Sequence, residues 1–243
     1  MSDPYAATAG AYDLLNTPWR AAQIAALEQL RPWLRPDAGP ILDVGAGSGL
    51  NTAWVLQNCP DARVLALEPS PAMRSLCLSR LAGYADWHDR VTLRPEDFFA
   101  APLPPRIGGA ILLGILGHFD AGERAAVFAE LADRLPDAGA ALIDLQQPER
   151  PEAVPASTMA SSRVGELEYR LIGEAAPLGG DRLRWRMTYL SLDGERVLTE
   201  ETAEHVYHHP DPVTVAAEAA SEYVNSTWPH RGGLSWPHRR GCG

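Results

Sequence analysis

The stretch that decides the fold is Ile41-Leu42-Asp43-Val44-Gly45-Ala46-Gly47-Ser48-Gly49. A short apolar run leads into three alternating glycines, and a helical pattern follows them. Such a run is typical of a strand buried on both faces of a parallel sheet. Glycines accept a tight backbone turn and let a ligand approach the bare main chain. The stretch therefore predicts a strand, a ligand-binding loop and a helix over about residues 49–58.

Strand and helix patterns continue to alternate after this loop. Strands are expected at 63–67, 90–94, 108–114 and 139–145, and helices at 71–83 and 121–135. The last of these helices begins with Asp120 and Glu123, which have the spacing of a capping box. This order indicates an α/β fold with a Rossmann-like, doubly wound, mostly parallel sheet.

The flanking segments follow different patterns. Apolar residues recur at helical spacing over 19–34, so residues 1–36 are expected to form an N-terminal helical cover. Period-two alternation over 165–209 predicts a three-stranded antiparallel meander that either extends the main sheet or covers its open end. A helix is expected over 213–220, with no strand after it, and 223–243 are expected to form an irregular tail.

Length and composition limit the possible classes of protein. With 243 residues, one domain over 1–222 is expected, with residues 37–146 as its core. The formal net charge of −10 disfavours nucleic acid as a partner. No apolar stretch reaches the roughly 18 residues of a membrane span, and Met1-Ser2-Asp3-Pro4 lacks a signal-peptide layout, so a cytoplasmic location is expected. Three scattered cysteines predict no metal site.

Two carboxylates indicate which ligand the glycine loop binds. Asp43 lies two residues before the first glycine, where it would repel the pyrophosphate of a nicotinamide dinucleotide. The glycine motif of proteins that bind a nicotinamide dinucleotide also needs a glycine at position 50, where this chain has Leu50. Glu68 ends the second strand, where it can accept both hydroxyls of a ribose. A ligand with an adenosine and an ammonium group fits this pattern.

The ordered set of motifs resembles the class I S-adenosylmethionine-dependent methyltransferases over about residues 37–146. Besides the glycine loop, the resemblance rests on Leu67-Glu68-Pro69-Ser70, Glu96-Asp97-Phe98, the segment 111–119 and Leu135-Pro136-Asp137-Ala138-Gly139. It implies S-adenosylmethionine as the methyl donor and S-adenosylhomocysteine as the product. It also implies a cofactor site made of Asp43, Gly45, Ala46, Gly47, Gly49, Glu68, Pro69, Met73, Asp97, Phe98, Leu113 and Gly114. By the same resemblance, Phe98 would lie on a face of the adenine, and Leu113 and Gly114 would lie near the sulfur of the cofactor.

The reaction implied is in-line displacement of the methyl group by an oxygen, nitrogen or carbon atom of a small molecule. Such a displacement depends mainly on positioning. If the acceptor is a hydroxyl, His118, just past the fourth strand, is the candidate general base. Nucleic-acid amino methylation is disfavoured, because Leu113-Gly114-Ile115-Leu116-Gly117 replaces the Asn/Asp-Pro-Pro-aromatic element of those enzymes. The alternative function is that of a module that binds S-adenosylmethionine without transferring its methyl group.

Other residues have alternative interpretations. Tyr5, Tyr12 and Trp19 either cover the site or pack on the sheet, and the alternating Trp185, Met187 and Tyr189 either line a substrate pocket or form plain core. His205, His208 and His209 form either a metal site or a solvated turn. An exposed meander edge is compatible with a homodimer.

Overall fold

The main sheet of this computed structural model, which describes residues 3–222 and 234–237, has six strands in the order β10-β5-β4-β1-β2-β3. The strands are β1 (Ile41–Val44), β2 (Val64–Leu67), β3 (Val91–Arg94), β4 (Gly109–Leu112), β5 (Ala140–Ile143) and β10 (Leu234–Pro237). The first five are parallel, and β10 runs antiparallel to β5. Every residue of β1, β2, β4 and β5 is buried, which explains their apolar runs.

Helices cover both faces of this sheet. They are α1 (Ala6–Ala9), α2 (Tyr12–Leu15), α3 (Thr17–Leu30), α4 (Leu50–Asn58), α5 (Pro71–Ala82), α6 (Ala121–Arg134) and α7 (Pro212–Glu222). One apolar cluster holds core residues of α6 and α7, and the other holds those of α3, α4 and α5. The capping box expected at α6 is present, with Asp120 and Glu123 each accepting the other's backbone N–H. The doubly wound fold is therefore confirmed.

The second sheet is larger than the sequence indicated. Strands β6 (Val154–Val164), β7 (Leu167–Gly179), β8 (Arg182–Asp193) and β9 (Arg196–His208) form an antiparallel meander in chain order. The antiparallel meander is confirmed, but the expected number of three strands is wrong, and so is the alternative in which the meander extends the main sheet. A fourth strand precedes them, and the four form a separate sheet. Four of the eleven residues of β6 are serine or threonine, and the strand has no clear apolar alternation.

The segment after α7 also departs from the expectation. Leu234–Pro237 form β10, which pairs with β5 from Leu234 opposite Ile143 to Pro237 opposite Ala140. The expectation of no strand after α7 is therefore wrong for these four residues, which lie at the edge of the sheet next to β5. The other residues of the tail predicted over 223–243 lie outside the described part of the chain.

A buried arginine joins α6 to α7 and to the second sheet. The side chain of Arg124 is 2% exposed and donates two hydrogen bonds to Glu218, at 2.8 and 2.7 Å. It also donates to the Phe119 carbonyl at 3.0 Å and lies 3.7 Å from Asp181 in the β7–β8 turn. A buried guanidinium needs such partners, because leaving it unpaired costs several kcal/mol. Through Arg124, Glu218 of α7 is therefore joined to the Phe119 carbonyl in the segment that follows β4.

Replacing Glu218 should destabilise the fold much more than replacing a surface glutamate. We expect Glu218→Ala to lower the free energy of unfolding by roughly 2–3 kcal/mol, below the range of about 3–5 for a fully buried pair because Glu218 is 18% exposed. Glu130→Ala, which breaks the exposed pair with Arg134, should cost at most about 0.5 kcal/mol. Urea denaturation measures both, and equal losses would contradict this role.

Candidate functional site

The glycine loop is held in a shape that other residues do not adopt readily. Gly45, Gly47 and Gly49 have φ values of 64°, 58° and 81°, in the left-handed region. A Cβ on Gly49 would lie 2.6 Å from Cys77 Sγ of α5, and one on Gly45 would overlap the side chain of Ile115. The loop is therefore packed from two sides at the carboxyl end of β1, with its backbone close to both neighbours.

Glu68 ties this loop to the next helix. Its carboxylate accepts the Gly47 N–H at 2.7 Å and the Ser70 N–H at 2.8 Å, and the residue is 6% exposed. Ser70 in turn caps α5 by accepting the Met73 N–H. Burial raises the pKa of Glu68, although the two N–H donors oppose that shift. This carboxylate thus organises the carboxyl ends of β1 and β2 together.

Asp43 is a second buried carboxylate at the same edge of the sheet. It is 1% exposed and accepts the Thr52 hydroxyl at 2.5 Å. Burial raises the pKa of Asp43 to about 7, and the negative field of Glu68 adds to the shift. The fold thus carries two poorly solvated acidic groups beside bare backbone, an arrangement that favours a ligand bearing positive charge.

The other residues predicted to bind the cofactor differ in their burial. Met73 is buried, and its methyl carbon would lie 3.4 Å from a Cβ on Gly47. Asp97 is exposed, and its Oδ1 accepts the N–H groups of Phe99 and Ala100 at 2.9 Å each. Phe98 is 3% exposed and belongs to the core. Its assignment to an adenine face stays a prediction, and the 51% exposed Phe99 beside it is an alternative.

Pro69 and Ala46 complete the predicted set near the loop. Pro69 is exposed, and its carbonyl accepts a hydrogen bond from Arg74 at 2.7 Å. Ala46 is buried and donates its N–H to the Leu67 carbonyl at 2.9 Å. Both residues therefore lie where β1 and β2 end. The roles of all these residues toward a cofactor remain predictions.

A cavity of about 490 Å³ opens between the helical cover and the second sheet, with Leu113 and Gly114 in its wall. The cover contributes Tyr5, Tyr12 and Trp19, and β8 contributes Trp185, Met187 and Tyr189. The sequence did not decide whether these two sets of residues pack in the core or line a site. The structure places both sets in the cavity wall. The volume falls within the range of about 300–1,000 Å³ of small-molecule sites.

His118 lies at one side of this cavity, behind Tyr5. Its Nε2 is 2.9 Å from the Tyr5 hydroxyl, which is 3.0 Å from the Tyr207 hydroxyl. Partial desolvation lowers the pKa of His118, and the imidazole of His205 lowers it further, while part of the ring remains exposed. His118 is thus a neutral partner of Tyr5 near pH 7.

The three histidines near the end of β9 do not converge on one point. His205 stacks between Tyr5 and Tyr207, at ring-centroid distances of 4.7 and 5.4 Å. His208 Nδ1 lies 2.8 Å from Asp181, and His209 Nε2 accepts the Trp185 indole N–H at 3.0 Å. Within the described ranges, no group of three or more His, Cys, Asp or Glu residues is arranged to hold a metal ion.

Two acidic residues near the candidate site escaped the sequence analysis. Asp144, directly after β5, lines the cavity, and its Oδ1 accepts the Gly114 N–H at 2.6 Å. Asp3 caps α5 by accepting the Ser70 hydroxyl at 2.8 Å and the Ala72 N–H at 2.9 Å. A position at the carboxyl end of a parallel strand was the available signal for Asp144. No local pattern marks Asp3, because its partners are nearly 70 residues away in the sequence.

S-adenosylmethionine fits the residues present at this site. Glu68 and Asp43 offer buried acceptors beside the glycine loop, and a cationic ligand relieves the raised pKa that each of them shows. A Cβ on Gly114 would meet no atom within 4 Å, so open space lies at the junction with the cavity.

In the part of the chain that the structure describes, no helix is both long and apolar enough to cross a membrane.

Comparison with protein families gives a match over the middle of the chain. Residues 41–139 match the model of a methyltransferase domain family, from the start of β1 to the turn before β5. This range contains the glycine loop, Glu68 and Gly114, and the match argues against the nicotinamide-binding alternative. A comparison with curated proteins gives no significant match.

Several solved structures share the architecture of nearly the whole chain. The sugar N-methyltransferase KedS8 from Streptoalloteichus sp ATCC 53650 is 23% identical with a TM-score of 0.69, over 94% of this chain and 93% of its own. CalS10, an amino pentose methyltransferase from Micromonospora echinaspora, is 22% identical with a TM-score of 0.66, over 89% of each chain. The glycopeptide N-methyltransferase MtfA, solved with S-adenosylmethionine, is 21% identical with a TM-score of 0.53, over 87% of this chain and 90% of its own. At these identities the likeness establishes the fold.

We expect Glu68→Gln to weaken binding of S-adenosylhomocysteine. The amide replaces an anionic acceptor, and hydrogen bonds to a charged group contribute about 1.5–3 kcal/mol, so the dissociation constant should rise roughly 10- to 100-fold. Calorimetric titration measures it. Glu96→Gln, which neutralises a partly exposed glutamate paired with Arg94, is the matched control and should stay within about twofold. Unchanged affinity in Glu68→Gln would contradict the assigned site.

Asp43 should make stability fall as pH rises. Its folded pKa of about 7 lies above the unfolded value of roughly 4, so the folded state binds more protons between these pH values. The stability that this group contributes is therefore present below pH 4 and is lost by about pH 7. We expect the unfolding free energy of the wild type to drop by at least about 1 kcal/mol relative to Asp43→Asn between pH 5 and pH 8. A pH-independent difference between the two proteins would be inconsistent with the raised pKa.

Proposed function

We propose that this chain, a class I S-adenosylmethionine-dependent methyltransferase, transfers the methyl group to an amine of a small, hydroxyl-rich molecule such as an amino sugar. S-adenosylmethionine supplies an electrophilic methyl group on a sulfonium. The residues of the chain bind the two molecules and hold them in line, which is the main requirement of such a displacement.

One observation carries the choice of acceptor. The likeness to the sugar and amino pentose methyltransferases covers 89–94% of this chain, so it includes the cover and the second sheet as well as the cofactor core. Those two elements form most of the cavity wall, and function depends on such a site rather than on the fold as a whole. The names of these neighbours describe sugar N-methylation and amino pentose methylation. Their shared architecture supports an acceptor of the same chemical class.

The chemistry of the cavity wall is consistent with that class. Asn16, Gln23 and Gln147 line it with amide groups that can donate and accept hydrogen bonds from hydroxyls. Aromatic rings of Trp19 and Trp185 provide flat apolar faces in the same cavity. The wall is mainly apolar, and these amides are among the few polar groups in it that can orient a hydroxyl-rich ligand.

An amine acceptor changes the role expected of His118. The sequence analysis assigned it as general base for a hydroxyl acceptor, and that assignment stays a prediction for such a substrate. An amine is nucleophilic once it is neutral, and a histidine with a lowered pKa is a weak base. We propose that His118 positions Tyr5 through their 2.9 Å hydrogen bond and so keeps the cover in place.

We expect His118→Gln to lower kcat for an amine acceptor less than about tenfold, with a larger rise in the KM of the acceptor. The amide can still accept the Tyr5 hydroxyl, whereas loss of a general base typically costs about 10²–10⁴-fold in rate. Tyr5→Phe, which removes the same hydrogen bond from the other side, should give a similar pattern. Steady-state kinetics measure both. A 10²-fold or larger drop in kcat for His118→Gln alone would show that it transfers a proton.

The experiment for the function itself compares two acceptor sets. Methyl glycosides of amino-deoxy hexoses and their hydroxyl counterparts are each incubated with S-adenosylmethionine, and mass spectrometry detects methylated product. Product from the amino compounds alone supports the proposal. Product from the hydroxyl compounds alone overturns the amine assignment. Cofactor binding without product from either set favours the alternative, a binding module without methyl transfer.

The remaining expectations on partners belong to this proposal. Both outer strands of the second sheet, β6 and β9, have an edge that no described strand covers, and such edges are suited to pairing two copies in a homodimer. The net charge of −10 disfavours nucleic acid as the acceptor. A cytoplasmic location stays a prediction from the sequence.

A further inference from the structure

Asp144 and Gly114 meet where two neighbouring parallel strands end. Gly114 follows β4 and Asp144 follows β5, so the sheet brings them side by side. Asp144 Oδ1 accepts the Gly114 N–H at 2.6 Å, and the Gln146 side chain donates to the Gly114 carbonyl at 3.4 Å. Gly114 has a φ of 75°, and these two contacts hold its backbone from both ends. Asp144 therefore has a fixed position in the cavity wall.

This position adjoins the place where the methyl group is expected. Leu113 and Gly114 are the residues predicted to lie near the sulfur of the cofactor, and both line the cavity. A Cβ on Gly114 would meet no atom within 4 Å, so the space beside its α-carbon is open. The Asp144 carboxylate, one hydrogen bond away from Gly114, borders that open space.

The carboxylate has acceptor capacity left for a ligand. A carboxylate offers about four lone-pair positions, and Gly114 occupies one of them. Desolvation raises the pKa of Asp144 to about 6, so it is mostly ionised at pH 7. Among the described residues it has no ion-pair partner, and it is the one carboxylate of the cavity lining. A partly desolvated anion of this kind favours a cationic ligand.

We propose that Asp144 binds the ammonium group of the acceptor and takes its proton, an inference that rests on the proposed amine methylation. One N–H proton passes to a carboxylate oxygen, which frees the nitrogen lone pair. The lone pair forms the new N–CH₃ bond as the S–CH₃ bond breaks, and that bonding pair stays on sulfur as a neutral thioether. The methylated ammonium product carries the positive charge, and Asp144 returns its proton to solvent after release.

The variant Asp144→Asn tests this role with little change in shape, because its amide oxygen can still accept the Gly114 N–H. Calorimetry with saturating S-adenosylhomocysteine compares a methyl glycoside of an amino-deoxy hexose with its hydroxyl counterpart. We expect the wild type to prefer the amine by roughly 10- to 100-fold, as for a charged hydrogen bond, and the variant to lose this preference. Its affinity for S-adenosylhomocysteine should stay within about twofold.

Two further variants complete the test. Glu149→Gln neutralises an exposed glutamate five residues later and should leave the preference unchanged. Asp144→Glu keeps the charge and should retain a preference for the amine. A preference that persists in Asp144→Asn overturns the proposal, and so does loss of S-adenosylhomocysteine binding in both Asp144 variants, which would make the residue structural. Absence of methylation by the wild type would instead refute the proposed function, while the binding comparison still reports on Asp144.

Discussion

The burial of carboxylates at the carboxyl edge of the parallel sheet is the constraint on which the site depends. Asp43 follows two buried residues of β1, Glu68 follows β2 and Asp144 follows β5, and desolvation raises the pKa of each. Each is held by donors from the chain, namely Thr52, the loop N–H groups and Gly114. These bonds only partly compensate for lost solvation. The free protein therefore carries an unfavourable negative field that a sulfonium and an ammonium both relieve.

Residues 3–14 of the cover add a second constraint, because polar contacts rather than deep apolar packing hold them. Asp13 accepts the Ser48 hydroxyl at 2.5 Å and pairs with Arg80, so the cover lies directly on the glycine loop. Asp3 occupies the beginning of α5, and Tyr5 reaches His118 and Tyr207 across the cavity. Segments with few buried apolar contacts open at lower free-energy cost than core elements. Residues 3–14 are therefore expected to open at a lower free-energy cost than the main sheet.

The sequence predicted the fold best where the determinants are local. The apolar runs of β1, β2, β4 and β5 and the capping box of α6 each lie within a few residues, and their predicted bounds differ from the observed ones by two residues or fewer. Strand β6 was missed because most residues of Val154–Val164 are exposed and its apolar residues do not alternate with polar ones. Strand β10 has no such local marker either, and its pairing with β5 is a contact between distant residues. Asp3 was missed for the same reason, because its partners Ser70 and Ala72 are distant in the sequence. Asp144 did have a sequence signal, its position at the carboxyl end of the predicted strand that corresponds to β5.

The most direct test of the central claim follows the methyl group itself. Wild-type protein is incubated with S-adenosylmethionine labelled with ¹³C in the methyl group and with a methyl glycoside of an amino-deoxy hexose, and the product is analysed by NMR. The account predicts that the label appears as a carbon bonded to the sugar nitrogen. A label bonded to oxygen, or a label that remains in S-adenosylmethionine although the cofactor binds, would contradict it.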